Sequence, residues 1–224
     1  MERIGNWLVQ HELSLNVDKT VFMVFSNRPN NIQHDFFINI NGNKIERVDS
    51  CTYLGVLIDT RLKWNLHINS VVRKIRYLLF VMRKFSATLK PSSLSMIYHA
   101  LFFSNINYGL IAWGGSYNTH LKKLQSVLNR MLKIVKIDKM SMTIKQSFII
   151  SCLMFNYDSL KQKFVENFSK IRKKYISMPK IKNTIGFKNH KIVAIQNFNR
   201  LPNSLKILDL NYKTIKKRLI DWIL

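Results

Sequence analysis

Between Thr60 and Ile137 the chain carries no carboxylate, yet it holds thirteen cations: Arg61, Lys63, Arg73, Lys74, Arg76, Arg83, Lys84, Lys90, Lys122, Lys123, Arg130, Lys133 and Lys136. Side chains of this kind neutralise phosphate, and Trp64, Tyr77, Tyr98, Tyr108 and Trp113 are interleaved among them. A solvated charged surface normally mixes both signs, so ordinary surface lysines account for some of these residues and poorly for the missing acids. A/T-rich codon usage would raise Lys, Asn and Ile throughout without emptying one segment of carboxylates. The whole chain bears 36 Lys+Arg against 12 Asp+Glu, a formal charge of +24, and such a field draws polyanions: nucleic acid first, anionic membrane second.

Other chemistry is thinly provided. No Asp-Asp pair exists, nor an Asp-x-x-x-Asp/Glu spacing that would hold two carboxylates on one element for a pair of metal ions. Cys51 and Cys152 form no disulfide framework, neither stands at zinc-clamp spacing from a second Cys or a His, and the six histidines show no His-x-x-His pattern. Lys19, in "LSLNVDKTVFMVF", lies between the close of a helix and the start of a strand. A lysine there is either a solvated loop residue or a positioned general acid.

The elements that must position these residues follow from periodicity. Arg3–Glu12 reads as a short helix and Thr20–Phe25 as a strand, with loop signals at Ser26–Asn31. Phe36–Ile40 and Lys44–Val48 flank Asn41-Gly42, the favoured type I′ hairpin turn, and Tyr53–Asp59 reads as a further strand. From Asn65 to Phe85 the period becomes helical: Ile68, Val71, Val72, Ile75, Leu78, Leu79, Met82 and Phe85 fall on one arc, and Arg73, Lys74, Arg76, Arg83 and Lys84 on the other. Pro91 opens a second helix through Phe103, Asn118 or Thr119 can cap a third through Val135, and the chain after Asp138 is more weakly helical. Lys170–Lys191 is basic and aperiodic, as expected of a linker, and an amphipathic helix resumes near Lys213.

No long apolar leader precedes the first helix, and the uncharged run Pro91–Leu121 is too often broken by polar residues to span a bilayer, so the expectation is an intracellular, nuclear or cytoplasmic protein that is not secreted and has no membrane partner. The fold class expected is α+β, a small antiparallel sheet followed by a mostly helical region. Its expected domains are 1–60, 61–168, and a basic linker with a C-terminal helix over 169–224.

Four blocks then occur in order: "ELSLNVDKTVFMVF", "YLGVLIDTRLKWNLHI", "IYHALFFSNINYGLIAWGGSY" and "FNRLPNSLKIL". Together they resemble the C-terminal half of the reverse transcriptases of non-LTR retrotransposons of the jockey-like, LINE-type group, and the likeness covers nearly the whole chain. The resemblance implies an RNA-directed DNA polymerase fragment: a palm remnant over 1–60 that lacks the catalytic aspartates, then a thumb. Mg²⁺ is implied only for the intact parent enzyme, with no cofactor in this chain.

Residue by residue, the resemblance places Lys19 on the motif-D lysine, which protonates or stabilises the leaving pyrophosphate, a latent role without the metal site. Tyr53, Leu54 and Gly55 match the primer grip, where a glycine lets backbone approach the primer end; the alternative on the residues alone is a simple bulge. Arg73, Lys74, Arg76, Arg83, Lys84, Lys122 and Lys123 would then track a template-primer backbone, the partners being an RNA template and an RNA/DNA or DNA duplex. Tyr108, Gly109, Trp113 and Gly114 fit aromatic packing between helices better than base stacking. The alternative reading is a non-enzymatic basic RNA- or DNA-binding protein built from the thumb helices.

Overall fold

The computed structural model describes residues 2–26, 37–136, 142–171, 175–180, 189–207 and 211–224. The loop expected after Ser26 and half of Lys170–Lys191 lie outside them. The chain divides into two compact units, residues 1–67 and 68–224.

The first unit is the strand-bearing one. Helix α1 (Glu2–Gln10) meets the first hairpin at Gly5, where a Cβ would overlap the Asn41 Oδ1 at 2.1 Å. A 3₁₀ turn, Val17–Lys19, leads into β1 (Val21–Phe22), far shorter than the strand expected over Thr20–Phe25. β2 (Ile38–Ile40) and β3 (Asn43–Arg47) form the expected hairpin, Asn41 and Gly42 sitting at φ 50° and 79°. β1 lies on the other edge of β3 and runs parallel to it, so the sheet, ordered β1-β3-β2, is not purely antiparallel. The hairpin reverses the chain, and β3 thereby regains the direction of β1.

Tyr53–Asp59 is not one strand. β4 (Ser50–Tyr53) and β5 (Val56–Asp59) pair antiparallel around a two-residue turn, Leu54-Gly55. The Asp59 carboxylate then orders the next loop by accepting the backbone N–H groups of Arg61 (3.1 Å), Lys63 (3.1 Å) and Trp64 (2.9 Å). That grip holds Leu62 and Trp64 at positive φ (50° and 63°) and delivers the chain into α2 (Asn65–Phe85). The boundary between the units falls within the first turn of α2.

The second unit is helical. Pro91 sits at the start of α3 (Pro91–Ile97), where its missing N–H costs nothing. The helical path runs on through a π-helical stretch, Tyr98–Phe103, into α4 (Ser104–Asn107), four residues past the expected end at Phe103. α5 (Leu110–Trp113) follows Gly109, held at φ 62°. α6 (Asn118–Val135) buries Leu121, Leu124, Val127, Leu128, Met131, Leu132 and Val135, but its N-cap is Tyr117 rather than Asn118 or Thr119, and no side chain caps it.

α7 (Ile144–Ile171) is the spine, packed by α5, α6, α8 (His190–Arg200), α9 (Asn203–Ile207) and α10 (Tyr212–Ile223). Phe198 of α8 lies edge-on to both Tyr157 and Phe164 of α7, with ring centroids 6.0 and 6.1 Å away, and is fully buried. α10 begins at Tyr212, its N-cap Asn211 accepting the Thr214 N–H at 2.9 Å.

Candidate nucleic-acid interface

α2 separates its two arcs as its period requires. Ile68, Val72, Ile75, Leu79 and Met82 are buried, while Arg73, Lys74, Arg76, Arg83 and Lys84 are all exposed. Phe85, expected on the apolar arc, is the last residue of the helix and is 44% exposed. Among the described residues none of the five cations has a carboxylate partner, so their charge faces outward uncompensated.

Two aromatics share that face. Tyr77 is 69% and Phe80 is 56% exposed, and the Lys84 Nζ lies 4.9 Å from the Phe80 ring centroid. Exposing two large rings is unfavourable in water at about 25 cal/mol per Å² of apolar area, so the face has the composition of a surface that meets a flat or apolar partner. Sequence reading passed over Phe80. The signal was available, since Phe80 is an apolar residue at the centre of a basic arc.

Lys122 and Lys123 are exposed on α6, opposite its buried stripe. They belong to the same compact unit as the α2 cations but to a different helix. The structure therefore groups Arg73, Lys74, Arg76, Arg83 and Lys84 on one surface and leaves Lys19 and Tyr53–Gly55 in the other unit.

Lys19 ends the 3₁₀ turn with its side chain exposed. Its neighbours explain the local sequence: the Asn16 Oδ1 accepts the Lys19 N–H at 3.1 Å, and the Thr20 hydroxyl donates to the Asn16 carbonyl at 2.7 Å. Asn16 and Thr20 are thus the two sides of a capped turn that presents Lys19. Tyr53 and Leu54 form a hairpin tip, 64% and 72% exposed, with Leu54 at φ 46° and Gly55 at φ 77°. A leucine in the left-handed region and in water is disfavoured twice.

The remaining blocks are structural. Trp113 is fully buried and its Nε1–H donates to the Tyr108 carbonyl at 3.0 Å, while a Cβ on Gly114 would meet the Phe148 ring at 2.5 Å. In "FNRLPNSLKIL" the Asn199 amide brackets Ile176 through both of that residue's backbone groups (2.8 and 2.9 Å). Lys206, buried, donates from Nζ to the Asn199 carbonyl at 3.0 Å over the Phe164 ring, and burial holds its pKa below the usual lysine range. Cys152 is fully buried and its thiol is pushed up to about 12, which leaves it inert as a nucleophile.

No group of three or more His, Cys, Asp or Glu side chains among the described residues is placed to hold a metal ion, and no described helix is long and apolar enough to cross a membrane.

No protein-family model matches the chain, and no solved structure matches it. Curated relatives do. The chain is 26% identical over 140 residues to an RNA-directed DNA polymerase from mobile element jockey of Drosophila funebris, a match covering 59% of this chain and 14% of the relative. It is 27% identical over 97 residues to a probable RNA-directed DNA polymerase from transposon X-element of Drosophila melanogaster, covering 41% of this chain and 10% of the relative. The jockey polymerase of Drosophila melanogaster matches at 22% over 140 residues, again 59% of this chain and 14% of the relative. The chain thus spans about one seventh or less of the length of these relatives, and across that span it is similar to the RNA-directed DNA polymerases of jockey-like mobile elements.

Proposed function

We propose that this chain is the template-primer-binding part of a mobile-element reverse transcriptase, its first unit a palm remnant and its second a thumb, and that it does not transfer nucleotides by itself. The observation that carries this reading is the outward face of α2, where five cations without carboxylate partners among the described residues surround exposed Tyr77 and Phe80. Such a face neutralises backbone phosphates without reading sequence, and its rings offer stacking surface to a frayed or single-stranded base. Polymerisation is a separate matter, because nucleotidyl transfer needs two carboxylates close enough to bridge two Mg²⁺ ions, and the sequence offers no such pair. Lys19 and the Tyr53–Gly55 tip act in this reading only beside a palm that supplies those aspartates.

The test is the salt dependence of binding to an RNA/DNA duplex. Replacing Arg73, Lys74, Arg76, Arg83 and Lys84 with Gln removes phosphate contacts and spares the buried arc, so the log-log slope should flatten by roughly 2 to 4 units with the fold retained. An unchanged slope in a folded variant would place the duplex on another surface. Primer extension by the purified chain with Mg²⁺ should stay at background; template-dependent incorporation that survives repurification would overturn the non-catalytic part of the reading.

A further inference from the structure

An open groove of about 520 Å³ lies in the helical unit between the α4–α5 turn, α7 and α10, and no residue of α2 lines it. Its floor is apolar, with Leu110 and Ile150 buried beneath it, and its volume is that of a small-ligand pocket. Two rings line it and are left to solvent: Phe155 of α7 is 71% exposed and Tyr212 of α10 is 64% exposed. The other described aromatics of α7, Phe148, Tyr157 and Phe164, are buried, so Phe155 is set apart from the packing of its own helix. His190 of α8 stands edge-on to the Phe155 ring with centroids 5.5 Å apart, which limits the ring's freedom while leaving it wet. Exposed rings beside an apolar floor are unfavourable in water, and a flat apolar ligand would relieve them.

The charge beside these rings has one sign. Lys216 lines the groove, and the α-helical period sets Lys213 and Lys217, both exposed, on the same flank of α10 as Tyr212 and Lys216. The carboxylates of α7 and α10, Asp158, Glu166 and Asp221, stand outside the lining. At the far wall Asn107, also exposed, brings a carboxamide that can both donate and accept. Rings, an apolar floor, an amide and a row of lysines complement a base joined to a phosphate backbone; an apolar peptide would leave the lysines without a counterpart.

We propose that this groove binds single-stranded nucleic acid, an unpaired base stacking on Phe155 and Tyr212 while the backbone runs along Lys213, Lys216 and Lys217. The proposal shares with the α2 reading the premise that the chain binds nucleic acid, and shares no residue with it.

The experiment is fluorescence anisotropy of the full chain, wild type and α2 five-Gln variant, with a labelled oligo(U) RNA of about 12 nucleotides and with an abasic ribose-phosphate chain of equal length. The five-Gln variant should lose duplex affinity and still bind the oligonucleotide more tightly than the abasic chain. Phe155→Leu/Tyr212→Leu retains apolar bulk and removes both ring faces. In the five-Gln background it should weaken oligonucleotide binding by about tenfold or more, bringing it level with the abasic chain, and in the wild-type background it should leave duplex binding unchanged. Lys213→Gln/Lys216→Gln/Lys217→Gln should weaken both single-stranded probes and flatten the log-log salt slope by about 2 units. Unchanged oligonucleotide affinity in the folded Leu pair, or equal affinity of the parent for the oligonucleotide and the abasic chain, would overturn the proposal. So would a Phe155→Ala/Tyr212→Ala pair that abolishes self-association, or binding to phosphatidylserine vesicles, while its oligonucleotide affinity stands, because the groove would then belong to a second copy or to a membrane. Duplex binding lost only in the five-Gln variant and base-dependent binding lost only in the ring pair read the two surfaces apart.

Discussion

Two hairpins in the first unit have the same turn and different reasons for it. Asn41-Gly42 and Leu54-Gly55 both place two successive residues at positive φ, 50° and 79° in one and 46° and 77° in the other, as a type I′ turn demands. Asn41 suits that conformation, and it also packs against Gly5 of α1 and offers its carbonyl to the Asn43 side chain at 3.3 Å. Leu54 suits neither the conformation nor its surroundings, since it is 72% exposed. The first turn is explained by folding; the second holds a residue that folding disfavours. Strain retained at an exposed tip is the kind of feature that a binding partner accounts for, and Tyr53, also exposed, stands beside it.

The comparison breaks most readily at the glycines. Gly42→Val has open space around it, so its cost is backbone strain alone, about 1 to 2 kcal/mol, read as a lower opening free energy for the β3 amides in hydrogen exchange. Gly55→Val should cost a similar amount at β5. A silent Gly55→Val would mean that the second turn tolerates another shape and that Leu54 is not strained. Asn41→Leu comes next, at about 1 kcal/mol or somewhat more, because it combines left-handed strain with loss of the fit to Gly5. Leu54→Asn should move the other way, stabilising β4–β5 by about 0.5 to 1 kcal/mol while weakening template-primer binding two- to fivefold. If Leu54→Asn stabilises the hairpin and leaves binding unchanged, the tip does not serve the primer.

The same contrast explains what could be read from the sequence. Asn41-Gly42 was legible because its residues are the ones its turn requires, and α2 was legible over its full span because one face is mostly packed and the other is wet. Leu54-Gly55 was hidden within an apparent strand, since leucine is not a turn residue and "YLGVLID" alternates no worse than many strands. α7 looked weak for the opposite reason: Phe148, Ile150, Cys152, Leu153, Tyr157, Leu160 and Phe164 are buried over more than half of its circumference, and a helix covered on so wide an arc has little amphipathic signal. α8 (His190–Arg200) was given no element in the sequence reading, because Asn197 and Asn199 break its apolar pattern, and only the fold reveals that one donates to the Val193 carbonyl at 2.8 Å and the other brackets Ile176. Of the candidate site, charge and arc were visible in advance; the exposure of Phe80 depends on burial, which composition does not carry.

The smallest expected effect separates the hairpins by pH. The His67 Nδ1 accepts the Leu57 N–H at 3.2 Å, a bond that ties β5 to the start of α2. Accepting it requires a neutral imidazole, and burial holds His67 below its ordinary value of 6.5. The unfolded chain takes up a proton near pH 6.5 that the folded chain refuses until lower pH, so the contribution of neutral His67 is complete above pH 6.5 and drains away as pH falls through and below it. Protection of the Leu57 amide, corrected for intrinsic exchange, should therefore fall about two- to threefold between roughly pH 7 and pH 5.5, the share of one modest hydrogen bond, while the β3 amides hold steady. In His67→Phe the Leu57 amide should start less protected and show no such slope. An equal loss at β3 would mean that the whole unit titrates together, and that the two hairpins are not independently held.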